Sequence, residues 1–260
     1  MKKYWLLLKN QVSLITNYRI DLFGRWIVSL FEISVYYSLW RLTSQGNKVI
    51  ERQIFIYFVL TYGILNNLQS SKTARWMAND ILSGNAAKYL IKPIALPLTM
   101  VIRSIPAILS RIVTPALLIT LGTFLLPNYF APQSVSSLLF AVITALLGLI
   151  FWNQVMILIG TIAFWGTEIE SLTIAFGLSM NLIKGAYIPA FLFPNTVKQI
   201  IRLTPINYLV ALPIEIYQNQ VDFISLINSW LIIFIWIAIF TLIINWFYRK
   251  ALKHYQAYGG

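Results

Sequence analysis

Between Arg111 and Glu168 the chain runs for 56 residues without one Asp, Glu, Lys, Arg or His. A helix facing water carries polar groups on its outward side, so the outward sides here must meet something apolar. The gap breaks at Leu126-Pro127-Asn128-Tyr129-Phe130-Ala131-Pro132-Gln133, a cluster of turn formers. The apolar stretch on each side reaches the roughly 20 residues a helix needs to cross a bilayer. The pattern predicts a helical hairpin in a membrane, and the rest of the chain repeats it. The stretches are apolar all round and do not alternate, which predicts helices and not barrel strands.

Six spans are expected, near residues 22–40, 54–71, 103–126, 135–165, 169–186 and 223–246. Pro106 and Pro115 are expected kinks in the third. Residues 1–19 place Tyr4, Trp5, Leu8, Val12 and Ile15 on one helical face and Lys2, Lys9, Ser13 and Thr16 largely opposite, the pattern of a helix lying in the interface. Two connecting segments stand out. Residues 74–92 are too polar to insert, yet carry apolar groups at helical spacing, with a turn at Ser83-Gly84-Asn85 and a stop at Pro93. Residues 187–213 are hydrophobic, but Pro189, Pro194, Pro205 and Pro213 cut them into pieces too short to span. Such pieces can dip into the outer leaflet and return where protein or a water-filled cavity surrounds them. The fold class is therefore all-α and polytopic, a single 260-residue transmembrane domain.

Composition sharpens this picture. The chain is 58% hydrophobic and 11% charged, with a mean hydropathy of +0.72. It has no cysteine, which excludes disulfides and thiolate metal sites. The net charge of +12 does not predict nucleic acid, because the basic residues are scattered at span ends. They set orientation instead. With both termini inside, the inner segments hold eleven: Lys2, Lys3, Lys9, Arg19, Lys72, Arg75, Lys88, Lys92, Arg249, Lys250 and Lys253. The outer segments hold six: Arg41, Lys48, Arg52, Lys184, Lys198 and Arg202. The inner loop Gly166–Glu170 is acidic, a mild conflict with that assignment.

Four ionisable residues fall within or at the edge of spans: Arg25, Glu32, Arg103 and Arg111. Charges at such depth mark a pathway or a structural pair. Arg25 and Glu32 are seven residues apart, about 10 Å along a helix, so Glu32 is expected to pair elsewhere, with Arg103, Arg111 or a group on a partner chain. No H-E-x-x-H, G-x-S-x-G or G-x-x-x-x-G-K-[ST] occurs, and the only histidine, His254, is in the basic tail. The chain has no recognisable means of hydrolysing a nucleotide itself.

Ile81-Leu82-Ser83-Gly84-Asn85-Ala86-Ala87-Lys88-Tyr89-Leu90-Ile91-Lys92-Pro93 resembles the stretch after the second span of bacterial ABC-2 permeases. Ile188-Pro189-Ala190-Phe191-Leu192-Phe193-Pro194 with Thr204-Pro205-Ile206-Asn207-Tyr208 resembles their outer segment before the last span. In layout the whole chain is similar to the permease subunit of an ABC-2 type (type V) ABC transporter. The resemblance implies a bacterial cytoplasmic membrane with both termini cytoplasmic. It implies export powered by a separate ABC ATPase in two copies, which would carry the ATP and Mg, and a second permease, identical or homologous.

It also implies roles. Residues 1–19 would be the connecting helix and 74–92 the coupling region, with Asn79, Asp80, Ser83, Gly84, Asn85 and Lys88 at the ATPase contact. Residues 187–213 would form outer re-entrant helices, with Pro189, Phe193, Pro194, Pro205, Tyr208 and Pro213 among them. The few charges in the spans suit a hydrophobic or amphiphilic cargo such as a lipid, peptide or drug-like molecule. Two alternatives stay open. An intramembrane lipid-modifying enzyme would need a His, Asp or Glu cluster at the interface. A channel or secondary carrier not driven by ATP would show several ionisable groups on facing helices, or a repeat.

Overall fold

The computed structural model describes residues 19–91, 95–125, 132, 134–166 and 168–253. Apart from Arg19, the expected interfacial helix at 1–19 lies outside these residues, as do most of the 126–133 turn, Lys92, Pro93 and His254. The described chain is all-α. Its helices are α1 (Arg19–Arg41), α2 (Lys48–Leu60), α3 (Lys72–Leu82), α4 (Ala87–Ile91), α5 (Leu96–Leu125), α6 (Val135–Thr161), α7 (Ile169–Ile183), α8 (Asn195–Arg202), α9 (Ala211–Tyr217) and α10 (Phe223–Leu252). A π-helical turn, Thr61–Leu65, and a last turn, Asn66–Leu68, prolong α2. Short 3₁₀ turns follow α1 and α6, and two more, Ala190–Leu192 and Pro205–Leu209, flank α8.

Local chemistry sets several of these ends. Asn47 accepts from the backbone N–H groups of Val49 and Ile50 at the start of α2. Ser134 accepts from Ser137 N at the start of α6. Asp222 accepts from Ser225 N at the start of α10, and hydrogen bonding from Ser225 holds its carboxyl below the usual carboxylate range. α5 starts at Leu96, seven residues before the expected span, and runs unbroken through Pro106 and Pro115. α7 has 15 residues, about 22 Å at the 1.5 Å rise.

α6 is the mast of the bundle. α3, α9, α10 and the Pro205–Leu209 turn all pack on it. Two glycines allow the closest approaches. A Cβ on Gly148 would lie 2.3 Å from the Tyr208 carbonyl oxygen, and one on Gly160 would lie 2.7 Å from that of Ala74. On the far side α1 packs on α2 and its π turn. Where α1 turns into α2, Arg41 binds Glu51 at 2.6 Å, and Tyr37 donates to the same carboxylate at 2.8 Å.

The outward faces are apolar. Of the most apolar 18-residue window of α10, 11% is buried inside the protein, and Phe234, Ile235 and Leu242 are exposed by more than half. In water this surface would far exceed the few hundred Å² a soluble monomer tolerates. α6 with its following turn and α10 are each long and apolar enough to cross a membrane. The protein is a membrane protein.

Candidate functional site

A polar cleft interrupts the apolar surface beside α1 and the π turn. Its cavity is about 460 Å³, lined by Gly24, Arg25, Val28, Ser29, Glu32, Tyr62, Asn66 and Asn67. The π turn builds one wall. A π turn shifts the backbone ladder and loosens local carbonyls. Asn67 answers this: its Nδ2 donates to Tyr62 O at 2.7 Å, to Gly63 O at 3.3 Å and to Ser29 Oγ at 2.9 Å. One amide thus satisfies the widened turn and fastens it to α1. Arg111 reaches in from α5, its Nη1 donating to Asn67 O at 3.1 Å. Next to it Asn66 Oδ1 is buried with no hydrogen-bond partner, as is Thr61 Oγ1.

Of the partners expected for Glu32 on its own chain, Arg111 gives a hydrogen bond to Asn67 O. Arg103 is engaged by Asp80 at 3.7 Å and lies 4.7 Å from the centre of the Trp76 ring. The cation whose field reaches Glu32 is Lys184. Counted above among the outer residues, Lys184 is 3% exposed, inside the bundle. Because α7 is short, its C-cap ends among other helices and not beyond them. There Lys184 Nζ donates to Gln69 Oε1 at 2.7 Å and stands 5.4 Å from the centre of the Trp152 ring. A buried ammonium needs such partners.

α3 is amphipathic. Ala74, Met77, Ala78 and Ile81 are buried, and the first two close on Gly160. Thr73 Oγ1 donates to Asn153 Oδ1 on α6 at 2.8 Å. Arg75 meets Glu170 at 3.4 Å, which gives the acidic Gly166–Glu170 segment a basic neighbour. Gly84, at φ +73°, takes the left-handed conformation that favours glycine and turns the chain from α3 to α4. Asn79, Ser83 and Lys88 are exposed, and Asn85 is half-buried. They join in a small network, Ser83 Oγ to Asn79 O, Asn85 Nδ2 to Ser83 Oγ and Lys88 Nζ to Asn85 Oδ1.

Asp80 is different from its neighbours. It was expected at an outward contact, yet its carboxylate faces its own chain. Besides Arg103 it accepts from the Tyr89 hydroxyl at 3.3 Å. Burial, and then the Asp80 charge, hold the Tyr89 phenol above its ordinary pKa.

The proline-cut segment is packed deep into the bundle. Tyr208, Leu209, Val210, Ala211, Leu212 and Ile214 are all buried. Gln69 Nε2 donates to Leu209 O at 2.7 Å, Trp236 Nε1 to Leu203 O at 3.0 Å, and the Tyr208 hydroxyl to Ser229 O. Before it, Tyr57 and Tyr62 donate to Gly185 O and Ala186 O. Pro205 and Pro213 are buried, Phe193 is half-buried, and Pro194 is exposed at the start of α8.

Sequence reasoning missed Lys184, Ser29, Gly148 and Gly160 as site-forming residues. A signal existed for the π-turn wall, since Asn66, Asn67 and Gln69 cluster at the end of an apolar stretch. Among the described residues no group of three or more His, Asp or Glu could hold a metal ion. The sequence matches the family described as "ABC-2 family transporter protein" over residues 23–259. No curated protein matches the chain.

Proposed function

The chain belongs to the ABC-2 family of transporter proteins, and from that premise we propose that it is the membrane permease subunit of an ATP-driven exporter. In this reading α1, α2 with its π turn, α5, α6, α7 and α10 cross a bacterial cytoplasmic membrane, with both termini on the cytoplasmic side. α3 and α4 lie beneath the inner surface and seat a separate ABC ATPase, which binds ATP and Mg. Residues 187–213 re-enter from the outer side. Two permeases, identical or homologous, stand over two ATPase copies and enclose the pathway between them. Its cargo is hydrophobic or amphiphilic and leaves from the cytoplasm or inner leaflet.

The observation that carries this reading is the seating of α3. Its apolar face is locked on the inner half of α6 through Gly160, and its polar face is left outward, as suits a helix that docks into another protein's groove. Displacing α3 pushes on α6. Twelve residues of continuous helix, about 18 Å, connect Gly160 to Gly148, where the Pro205–Leu209 turn sits. A pull at the inner end thus reaches the buried outer segment through one rigid helix.

The test is co-expression with the ABC ATPases of the source genome. One of them should co-purify with the chain, and the permease should change its ATPase rate. A chain that neither captures an ABC ATPase nor alters its rate, yet transports alone, overturns the proposal.

A further inference from the structure

The cleft of α1 and the π turn carries two opposite charges on one helix face. Arg25 and Glu32 are seven residues apart, so they share a face of α1, about 10 Å from one another along the axis. Both line the cleft, and Ser29 lies between them. The opposite wall is formed by Tyr62, Asn66 and Asn67. Around these groups the surface is apolar: Ile27, Leu30 and Phe31 on α1 are all more than half exposed.

The charges are not already spent on each other. Glu32 accepts no hydrogen bond from a described residue, and the cation whose field it feels, Lys184, gives its own hydrogen bond to Gln69. The guanidinium of Arg25 carries five N–H donors in a fork that matches phosphate. Lys184 is absent from the lining, so the charged groups a ligand would touch are Arg25 and Glu32. An isolated carboxylate at membrane depth is costly, and this one has a cavity of about 460 Å³ before it.

We propose that this cleft binds the zwitterionic head of an amphiphile, a phosphate at Arg25 and a primary ammonium at Glu32, with its acyl chain lying against the apolar face of α1. The Glu32 carboxylate favours a primary ammonium, which brings three N–H donors, over a trimethylammonium, which brings none. The head is thus of the phosphoethanolamine type. The inference rests on the exporter reading for its meaning as cargo recognition, but the binding itself does not require an ATPase.

The experiment uses the full chain, purified in neutral detergent micelles. Binding is measured for lyso-phosphatidylethanolamine, lyso-phosphatidylcholine and lyso-phosphatidylglycerol of one acyl length. Soluble glycerophosphoethanolamine is added to separate a lipid from a free head group. Lyso-phosphatidylethanolamine should bind at least tenfold more tightly than the other two lipids, and the soluble head group at least tenfold more weakly than the lipid. Glu32→Gln should abolish the preference over lyso-phosphatidylglycerol, and Arg25→Gln should weaken all three phosphate-bearing lipids. Equal binding of the three lipids by the wild-type chain overturns the proposal whether or not the variants fold. So does a Glu32→Gln chain that folds and keeps its preference. Binding that holds while no ATPase associates would sink the exporter reading and leave this site standing.

Discussion

Gly160→Ala tests whether α3 is seated on α6 as tightly as the distances require. The new Cβ would lie 2.7 Å from Ala74 O, 2.7 Å from Met77 Cβ and 3.1 Å from Ala74 Cα. Two of those atoms are backbone, so no change of rotamer clears them. To restore ordinary contact near 3.4 Å, α3 must retreat from α6 by about 0.7 Å. The retreat stretches the hydrogen bond from Thr73 to Asn153 and opens the packing around Met77, which is fully buried. Overpacking of this kind costs about 1–3 kcal/mol.

Replacing glycine by alanine inside a helix also gains up to about 1 kcal/mol from propensity, so a matched control is needed. Gly177→Ala on α7 supplies it, since its Cβ would meet nothing within 4 Å. Both variants share the propensity gain, and their difference isolates the clash. Equilibrium unfolding in mixed micelles with rising dodecyl sulfate should place Gly160→Ala about 1–3 kcal/mol below Gly177→Ala. In the assembled transporter its ATPase stimulation should fall as well. Two variants within about 0.5 kcal/mol of one another, the usual scatter for a harmless substitution, would refute the close seating and the coupling route built on it.

Three further outcomes are expected. Gly84→Val forces a β-branched residue into the left-handed region at φ +73°, costing about 1–2 kcal/mol; the chain should still insert, with ATPase stimulation and transport reduced, and unchanged coupling in a co-purified complex would remove α3 and α4 from the docking role. Asn153→Ala leaves the Thr73 hydroxyl buried without its acceptor, at about 1–3 kcal/mol; the Thr73→Val/Asn153→Leu double variant should recover most of that loss in the same unfolding assay, and no recovery would show the pair is not the source. The chain has no cysteine, so Lys48→Cys and Lys88→Cys report orientation directly: an impermeant thiol reagent on intact cells should label position 48 and spare position 88, and the opposite result would invert the topology.

Hydropathy is a local property, which is why the helical membrane class was readable along the chain. A backbone in lipid must satisfy its own hydrogen bonds, so a long apolar run has one solution. The 56-residue charge gap becomes α6 and the C-terminal part of α5, and the polar stretch before α5, with Gly84 at its turn, becomes the pair α3 and α4. The lack of a nucleotide-binding loop was equally plain. Family membership followed the same hydropathy layout and a few short motifs.

Other features depend on groups that meet across the bundle. Asp80 looked like an outward polar residue, yet Arg103 and Tyr89 lie against it. Lys184 counted as an outer charge until the short α7 brought it to Gln69, 115 positions away. The cleft needed a π turn, closed by Asn67 onto Ser29 of another helix. A periodic pattern states that a helix has an apolar side, but not which helix will cover it or how far along its axis it stops. Packing settles that: small residues such as Gly148 and Gly160 admit one neighbour's backbone closely, and a buried charge comes to rest where a partner can satisfy it.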